Sequence, residues 1–473
     1  MRRHLTALLV ATLLLMPRPG RTAEPAFVVN QATNDVSVVD LQTATVAFSW
    51  GTNSNPRAIA IAPNDLTLYV AAGNDVTVID VLRPVMRVRL DVTLPFIEAT
   101  GVAVSRDGGK LFVIHRTNIL PNLSAAVTMI NLQDQTVAAC LRDRTDPCTL
   151  GAGEIPIAVP FTNLVHVAVS PWDGSVWVIN TDGRMARAAT PGQSFVEVAT
   201  SAMQRALNPG GMAIGSDGNV ALAANGNCGA AAACVKVVVP SLSNMLVTRS
   251  ETFAGLGRLA IGAPTMSGSP VLLSVPPSGL LSRIAAGPQT NFMTGPNPVA
   301  AGAGALGTLF TVNENTMPGN GTVSVIGIPL RTVTVGSLPR AAVTSPREMR
   351  GMLRAEQRVL SWTYTNPFGE VGTPQTVQFR NRGFAPLTVT GVRIEGVMGT
   401  FGPGRVNFLL GGNTCIGATL AFQQTCDVTV GFRSSPAQAP FTSGDRATLS
   451  LVSTASHAET VTLLASSRQL RFP

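Results

Sequence analysis

The stretch PRAIAIAPNDLTLYVAAGNDVTVIDV, from Pro56 to Val81, contains the pattern that decides the fold. Ala58 to Ala62 alternates small and branched apolar residues, and Leu68 to Ala71 follows after a Pro-Asn-Asp turn. Asp75 to Val81 then alternates polar residues with Val or Ile. Period-two alternation bounded by Pro, Asn, Asp and Gly is typical of half-buried strands joined in hairpins. The stretch therefore predicts three short β-strands.

Variants of this stretch recur as far as residue 344. The predicted first strands are centred, at intervals of 43, 65, 45, 47, 40 and 42 residues, on Ile59, Val102, Val167, Met212, Leu259, Val299 and Ala341. A unit of this length holds about four strands, which matches one blade of a β-propeller. The second strand ends at a related position in six copies, at Asn30, Ala72, His115, Asn180, Asn225 and Asn313.

The two ends of the repeat region complement each other. Residues 26 to 51 supply only the later strands of a unit, and GSLPRAAVTS (336 to 345) supplies a first strand without the rest. Pairing of these ends would close the ring without leaving exposed sheet edges. The sequence therefore predicts an all-β chain whose residues 24–346 form a seven-bladed β-propeller, closed by its N- and C-terminal strands.

The repeats resemble the YVTN family of β-propellers, on runs such as LYVA, FVIH, WVIN and FTVN and on DVSVVD and DVTVID. The resemblance covers residues 26 to 346. It implies a propeller fold and a surface or periplasmic protein related to lactonase-type propellers. It does not select a function, because propellers host binding proteins and enzymes alike.

A second module is predicted at 360–466, after a linker at 347–359 and before a tail at 467–473. Alternating strands separated by turns every ten to fifteen residues are typical of an antiparallel sandwich. TVQFRNRGFAPLTVTGV and the strand Thr425 to Phe432 resemble the choice-of-anchor D and ASPM/Hydin-type immunoglobulin-like domains. In the linker, Arg347, Arg350, Arg354 and Arg358 recur at helical spacing and predict a short helix.

The N-terminus is predicted to direct export. Residues 1–23 have a basic start, an apolar run from Leu5 to Met16 and a polar end near Ala23, which is the pattern of a signal peptide. The run is too short to span a bilayer. An uncleaved anchor is the alternative, because Arg21 stands where a small residue is preferred before the cut.

The cysteines support export. All six fall in close pairs that predict three disulfides, and the pairs are Cys140 with Cys148, Cys228 with Cys234, and Cys415 with Cys426. A metal site is the alternative, but the short loops contain no histidine. The first pair lies around residues 133 to 160, where the 65-residue interval between two first strands is longer than the other intervals. This additional segment is either a functional loop or an insertion without a function.

Two histidines are the candidates for chemistry. His115 stands where other repeats have Asn, so it is interpreted as a replacement for a turn-capping residue. His166 lies on a first strand, and with Glu154 or Arg184 it could serve lactone hydrolysis as a general base. Four Asp-Gly pairs are interpreted as turns and not as calcium ligands; they begin at Asp107, Asp173, Asp182 and Asp217.

The leading hypothesis is an exported, non-enzymatic binding or scaffolding protein in the periplasm or at the cell surface. The propeller would present a face to an unknown protein or glycan, and the sandwich would act as a spacer or adhesion module. No catalytic, cofactor or metal motif is present, and the basic residues are scattered, which does not favour nucleic acid. The alternative is a lactonase or oxidoreductase that uses the central channel, with His166 as its first candidate. The sequence indicates no oligomeric state.

Overall fold

A computed structural model describes most of the chain, and every regular element in the described residues is a β-strand. The described residues are 23–81, 87–89, 98–116, 125–133, 137–140, 163–191, 193–198, 205–214, 218–228, 233–240, 245–253, 258–262, 271–275, 280–284, 290–293, 295–314, 319–327, 329–345, 351–364, 371–383, 385–399, 402–403, 406–434, 445–454 and 458–467. Contacts divide the chain into two compact units, Glu24–Glu348 and one that contains Met349–Pro473.

The first unit consists of short strands. They are β1 (Pro25–Asn30), β2 (Asp35–Asp40), β3 (Thr45–Gly51), β4 (Pro56–Ile61), β5 (Thr67–Ala72), β6 (Asp75–Asp80), β7 (Arg87–Arg89), β8 (Glu98–Val104), β9 (Lys110–Arg116), β10 (Ala125–Asn131), β11 (Val137–Cys140), β12 (Leu164–Val169), β13 (Val176–Asn180), β14 (Met185–Ala188), β15 (Val196–Val198), β16 (Gly211–Ile214), β17 (Val220–Ala224), β18 (Ala233–Pro240), β19 (Met245–Phe253), β20 (Arg258–Gly262), β21 (Val271–Val275), β22 (Leu280–Ile284), β23 (Thr290–Met293), β24 (Pro298–Ala303), β25 (Leu309–Asn313), β26 (Asn320–Val325), β27 (Arg331–Ser337) and β28 (Pro339–Thr344).

These strands form small antiparallel sheets, as the repeat predicts. The described part of the first unit holds seven four-stranded sheets. Six consist of consecutive strands, β4–β7, β8–β11, β12–β15, β16–β19, β20–β23 and β24–β27, and the seventh has the order β28-β1-β2-β3. Each of the predicted first-strand centres, from Ile59 to Ala341, lies in the first strand of one sheet. Short four-stranded antiparallel sheets are typical of propeller blades.

The first strands follow one another in space. Each contacts the first strand of the next sheet, and the succession β28, β4, β8, β12, β16, β20, β24 leads back to β28. The two ends of the unit also share a sheet, because β28 pairs antiparallel with β1, with Phe27 opposite Val343 and Val28 opposite Ala342.

Three of the second strands are buried on both faces. All residues of β1 (PAFVVN), β13 (VWVIN) and β17 (VALAA) are buried. Ala26 and Val28 of β1 share a hydrophobic cluster with Phe310 and Val312 of β25, in the neighbouring sheet. Full burial of a Val or Phe side chain stabilises the fold by about 1.5–3 kcal/mol relative to exposure. Packing of sheet against sheet therefore stabilises the unit.

The second unit contains β29 (Leu353–Ala355), β30 (Val359–Tyr364), β31 (Val371–Asn381), β32 (Leu387–Gly399), β33 (Gly402–Pro403), β34 (Val406–Asn413), β35 (Thr419–Leu420), β36 (Thr425–Ser434), β37 (Asp445–Ser453) and β38 (Glu459–Ser467). One sheet has the order β29-β31-β36-β34, and the other has β30-β38-β37-β32-β33 with β35 paired to β32. Both contribute to one core, in which Phe379 and Val428 cluster with Leu449 and Leu463.

The predicted linker helix does not form in the described residues. Leu353–Ala355 is a strand, and Arg354 lies opposite Arg380 of β31. Leu353 is 4% exposed and belongs to the core of the second unit, so burial of this side chain overrides the helical spacing of the arginines. The strands of the second module therefore begin before residue 360.

Two of the three predicted cysteine pairs are disulfides in the structure. Cys228 is bonded to Cys234 with Cα atoms 5.6 Å apart, and Cys415 to Cys426 with Cα atoms 4.9 Å apart. Cys148 lies outside the described residues, as does most of the additional segment around 133 to 160. No helix that could span a membrane occurs in the part of the chain that the structure describes.

Candidate ligand-binding site

The turns that lead into the first strands share one backbone conformation. Positive φ angles of 46–60° occur at Asn55, Asn163, Asn208, Asn297 and Leu338, each of which shortly precedes a first strand. Asn tolerates this left-handed region better than most residues. Asn followed by Pro marks three of these turns in the sequence, so this dipeptide is a local signal for the start of a first strand.

The same turns are bonded to the ends of the second strands. The N–H of Gln31 donates to the carbonyl of Leu338 at 2.9 Å, and the N–H of Glu314 donates to the carbonyl of Asn297 at 3.0 Å. In the same way Thr181 donates to Asn163 at 3.1 Å. The starts of the first strands and the ends of the second strands therefore lie at one end of each sheet, which we call the mouth side.

A chain of polar side chains, the polar arc, crosses four successive sheets on the mouth side. Its members are Glu314, Arg340, Gln31, Asn55, Glu98 and Arg57. The arc begins where Arg340, the second residue of β28, donates through Nη1 to Glu314 Oε2 at 3.2 Å. Arg340 Nε donates to Gln31 Oε1 at 2.6 Å.

The second half of the arc runs from Gln31 to Arg57. Gln31 Nε2 donates to Asn55 Oδ1. Asn55 Nδ2 donates to Glu98 Oε1 at 3.3 Å, and Glu98 also forms an ion pair with Arg57 of β4. Arg340 and Arg57 hold the same position on two contacting first strands, each directly after a Pro. Side chains of four sheets are thus fixed in one hydrogen-bonded series.

The arc keeps polar groups at the surface. The Arg57 and Arg340 side chains are 34% and 32% exposed, and Glu314 is 24% exposed. In the described residues, Nε of Arg57 has no hydrogen-bond partner. Two guanidinium groups are balanced by two carboxylates, so the arc carries no net charge. It can both donate to and accept from a ligand.

His166 lies on the mouth side as well. It is the third residue of β12, the first strand next to β8, and its Nε2 lies 3.1 Å from the carbonyl oxygen of Pro209. A carbonyl only accepts, so this hydrogen bond forms when Nε2 carries the proton, and Nδ1 is then the basic atom of the neutral ring. The sequence predicts Glu154 and Arg184 as partners of His166. Glu154 lies outside the described residues.

Arg184 is engaged by a carboxylate of its own sheet. Its Nε donates to Glu197 Oε1 at 2.7 Å, and its backbone N–H donates to Asn180 Oδ1 at 2.8 Å. The hydrogen bond from Arg184 holds the pKa of Glu197 below its usual value. The described contacts therefore place Arg184, directly before β14, in a salt bridge with Glu197 of β15.

His115 has the role of the Asn that it replaces. It is fully buried, and its Nε2 lies 2.8 Å from Thr128 Oγ1 on the third strand of its sheet. Asn30 bonds Ser37 Oγ at 2.9 Å, and Asn313 bonds Ser324 Oγ at 2.9 Å, at the equivalent positions. His115 therefore joins the second strand to the third, as Asn does in those repeats.

The Asp-Gly turns that begin at Asp107 and Asp173 lie at the opposite end of the first strands, and the one that begins at Asp182 lies between a second and a third strand. Asp217 lies outside the described residues. Gly108, Gly174, Gly183 and Gly218 have φ angles between 70 and 82°, as such turns require. Asp173 accepts hydrogen bonds from the Ser175 hydroxyl at 2.7 Å and from its N–H at 3.0 Å. The described residues contain no group of three or more His, Cys, Asp or Glu side chains that could hold a metal ion.

No protein-family model matches the sequence, and no curated protein matches it. The YVTN and choice-of-anchor D resemblances therefore stay predictions. Among solved structures, the chain is similar to the periplasmic gluconolactonase PpgL of Pseudomonas aeruginosa, at 16% identity over 68% of this chain and 99% of that chain, with a TM-score of 0.47. It is also similar to hydrazine synthase of Kuenenia stuttgartiensis, at 14% identity over 65% and 92% of the two chains, with a TM-score of 0.43.

A functionally unknown protein of Desulfotomaculum acetoxidans is similar at 11% identity over 67% of this chain and 95% of that chain, with a TM-score of 0.48. Identities of 11–16% and TM-scores below 0.5 do not carry the activities of these proteins over to this chain.

Proposed function

We propose that Glu24–Glu348 is a seven-bladed β-propeller closed by the pairing of β28 with β1. The succession of first strands that leads back to β28 supports this, because a ring of inner strands is what a closed propeller requires. Two sheets around one core support an immunoglobulin-like sandwich for the second unit. Both architectures agree with the YVTN and choice-of-anchor D resemblances of the sequence.

The protein is exported to the periplasm or the cell surface. Its N-terminal residues have the pattern of a signal peptide. The disulfides Cys228–Cys234 and Cys415–Cys426 also favour export, because disulfides persist in oxidising compartments outside the cytosol.

The function is ligand binding at the mouth side without catalysis, and the sandwich serves as a spacer or adhesion module. The polar arc is the observation that carries this proposal. Its side chains come from four sheets and hold one another in place, so little side-chain freedom is lost when a ligand binds. Below the arc the first strands are mainly Ala, Val, Ile and Gly, as in PRAIAI and PVAAGA.

The ligand is a hydroxyl-rich glycan. A hydroxyl group both donates and accepts, and the arc offers guanidinium and amide donors beside the carboxylate acceptors Glu98 and Glu314. An arc without net charge does not select a strongly charged ligand. A protein partner is the alternative occupant of this surface.

Binding of the exported protein to a glycan array tests the proposal. The double variant Arg57→Ala/Arg340→Ala should lower the affinity for the bound glycans at least about tenfold, because hydrogen bonds to charged groups contribute about 1.5–3 kcal/mol each. Arg187→Ala is the matched control, since Arg187 is 33% exposed and forms an ion pair with Asp173 away from the arc. Absence of glycan binding, or equal binding by the double variant, would overturn the proposal.

A hydrolase that uses His166 is the second candidate, because His166 lies on the first strand next to the one that carries Glu98. Lactone hydrolysis by the wild type that falls at least about a hundredfold in His166→Gln would favour it, since general-base catalysis contributes about 10²–10⁴-fold. Hydrolysis that is equal in both proteins would argue against it.

A further inference from the structure

Glu24, directly after the predicted cleavage position, is completely buried. Its Oε1 accepts hydrogen bonds from the backbone N–H of Leu306 at 2.6 Å and of Thr308 at 3.4 Å. Its Oε2 accepts one from Gln42 Nε2 at 2.6 Å. The carboxylate thus joins the start of β1 to the turn between β24 and β25, in a neighbouring sheet.

The neighbouring turn is shaped for this carboxylate. A Cβ atom on Gly304 would lie 2.2 Å from Glu24 Oε1, closer than atoms approach without rearrangement. Only glycine leaves room for the side chain there. The Glu24 side chain therefore occupies a space that Gly304 leaves open, and the backbone of the same turn binds its carboxylate.

The backbone of Glu24 is fixed as well. Its N–H points to Asp40 Oδ1 at 3.3 Å, and its carbonyl accepts the N–H of Leu41 at 3.0 Å. From Pro25 onward the chain is β1, which pairs with β2 on one side and β28 on the other. Ala23 is 1% exposed.

A peptidase cannot act on this bond in the folded unit. Proteolysis requires an exposed segment that leaves its own structure to enter the enzyme, and exposed loop tips are the usual sites. The residues after the Ala23–Glu24 bond are instead the inner part of a sheet. Cleavage there has to precede the insertion of β1 between β2 and β28.

From this geometry we infer that Ala23–Glu24 is a processing site that is cut before the first unit folds, and that Asp40 binds the new N-terminus. This inference rests on the proposed export. Water adds across the peptide bond, so the C–N bond breaks, Ala23 keeps a carboxylate and Glu24 gains an ammonium group. The neutral N–H that faces Asp40 becomes a cation, and a charge-assisted hydrogen bond to a carboxylate is roughly twice as strong as a neutral one.

The order of events is tested with the full-length precursor. Precursor that is folded in detergent and precursor held unfolded in urea are incubated with a signal peptidase that tolerates the urea used, and the products are identified by mass spectrometry. We expect the unfolded chain to be cut after Ala23 and the folded chain at least about tenfold more slowly, because only opened molecules are cleaved. Equal rates, or a product that does not begin with Glu24, would overturn the inference.

The bound N-terminus is tested on the processed protein by the rate at which its α-amine is acylated. The amine should react at least about tenfold more slowly than in the urea-unfolded protein, as opened molecules alone expose it, and Asp40→Asn should raise the rate. Asp80→Asn is the matched control, because Asp80 ends DVTVID as Asp40 ends DVSVVD. An amine that reacts alike in all folded variants would contradict the role of Asp40. Failure of export would instead count against the proposed localisation.

Discussion

Arg340 Nε donates a hydrogen bond of 2.6 Å to Gln31 Oε1, although 309 residues separate the two side chains in the sequence. Arg340 is on β28 and Gln31 follows β1, so the bond lies where the last strand of the first unit pairs with its first. The same guanidinium reaches Glu314 in the next sheet. The Arg340 side chain therefore connects the β28–β1 pair to Glu314 in the neighbouring sheet.

Loss of this bond should weaken the first unit. Arg340→Ala and Gln31→Ala should each destabilise it, and a double-mutant cycle should give a coupling of about 0.5–1.5 kcal/mol, the usual net value of a hydrogen bond. The measurement is chemical unfolding followed by a probe in the first unit. Strictly additive losses would contradict a direct interaction between the two side chains.

His115 should tolerate the residue that other repeats have. His115→Asn should retain a hydrogen bond to Thr128 Oγ1. His115→Val removes this hydrogen bond and leaves the buried Thr128 hydroxyl without that partner. We expect His115→Val to be less stable than His115→Asn by about 1–3 kcal/mol, the cost of a buried polar group that loses its partner. Thermal unfolding of both variants measures this difference. A more stable Val variant would show that His115 acts by packing alone.

Asp173 should make the first unit sensitive to acid. Burial alone would raise its pKa, but hydrogen bonds from Ser175 and Ser170 and the charge of Arg187 lower it to about 2. A carboxylate with a depressed pKa contributes stability above its unfolded pKa, about 3.9, and that stability is lost as the pH falls through about 2. Asp173→Asn should therefore be less stable than the wild type at pH 6, and the gap should close between about pH 4 and pH 2.

Melting temperatures from pH 6 to pH 2 measure this gap. Ser175→Ala is the control, because it removes one donor and keeps the carboxylate. Part of its loss should not depend on pH, because Ser175 Oγ also accepts a hydrogen bond from Trp177 Nε1. The pH-dependent part should be smaller than for Asp173→Asn and should disappear only as the pH approaches about 2. A gap between wild type and Asp173→Asn that does not change with pH would contradict the prediction.

The disulfide Cys415–Cys426 should stabilise the second unit. The cysteines are 11 residues apart and both are buried in the core of that unit. Replacement of both by Ala should cost about 2–4 kcal/mol, because the unfolded chain regains the freedom that the bond removes. Unfolding followed by a probe in the second unit measures the loss. Cys228→Ala/Cys234→Ala should leave that transition unchanged, and an equal effect of both pairs would be contrary to this assignment.

The sequence predicts the strands well because burial repeats with the period of the strand. Ile59 and Val299 lie in first strands, and DVSVVD and DVTVID coincide with β2 and β6. Apolar alternation is a local property of the sequence and is typical of half-buried strands, whereas a strand that is covered on both faces, such as VWVIN, is a continuous apolar run. The same local view failed in the linker, where Leu353 joins a distant core and Arg354 lies on a strand.

The polar arc could not be predicted in this way. Its members are separated by up to 309 residues, and a repeat predicts which strand a residue occupies but not which side chain of another sheet it meets. Arg340 and Arg57 each follow Pro at a first-strand start, and this shared position was the available signal. His166 was found because it is a histidine on a first strand, while Gln31 and Asn55 have no such mark.

The pairing of β28 with β1 also has a consequence for synthesis on the ribosome. Pro25–Asn30 is among the earliest parts of the unit to be made, yet one of its two partner strands, Pro339–Thr344, is among the latest. Until residue 344 has been translated, one edge of this apolar strand has no partner in its own sheet and can pair with another chain. Nascent and truncated chains thus carry an aggregation risk that the finished protein no longer has, and a holdase that covers PAFVVN would protect them.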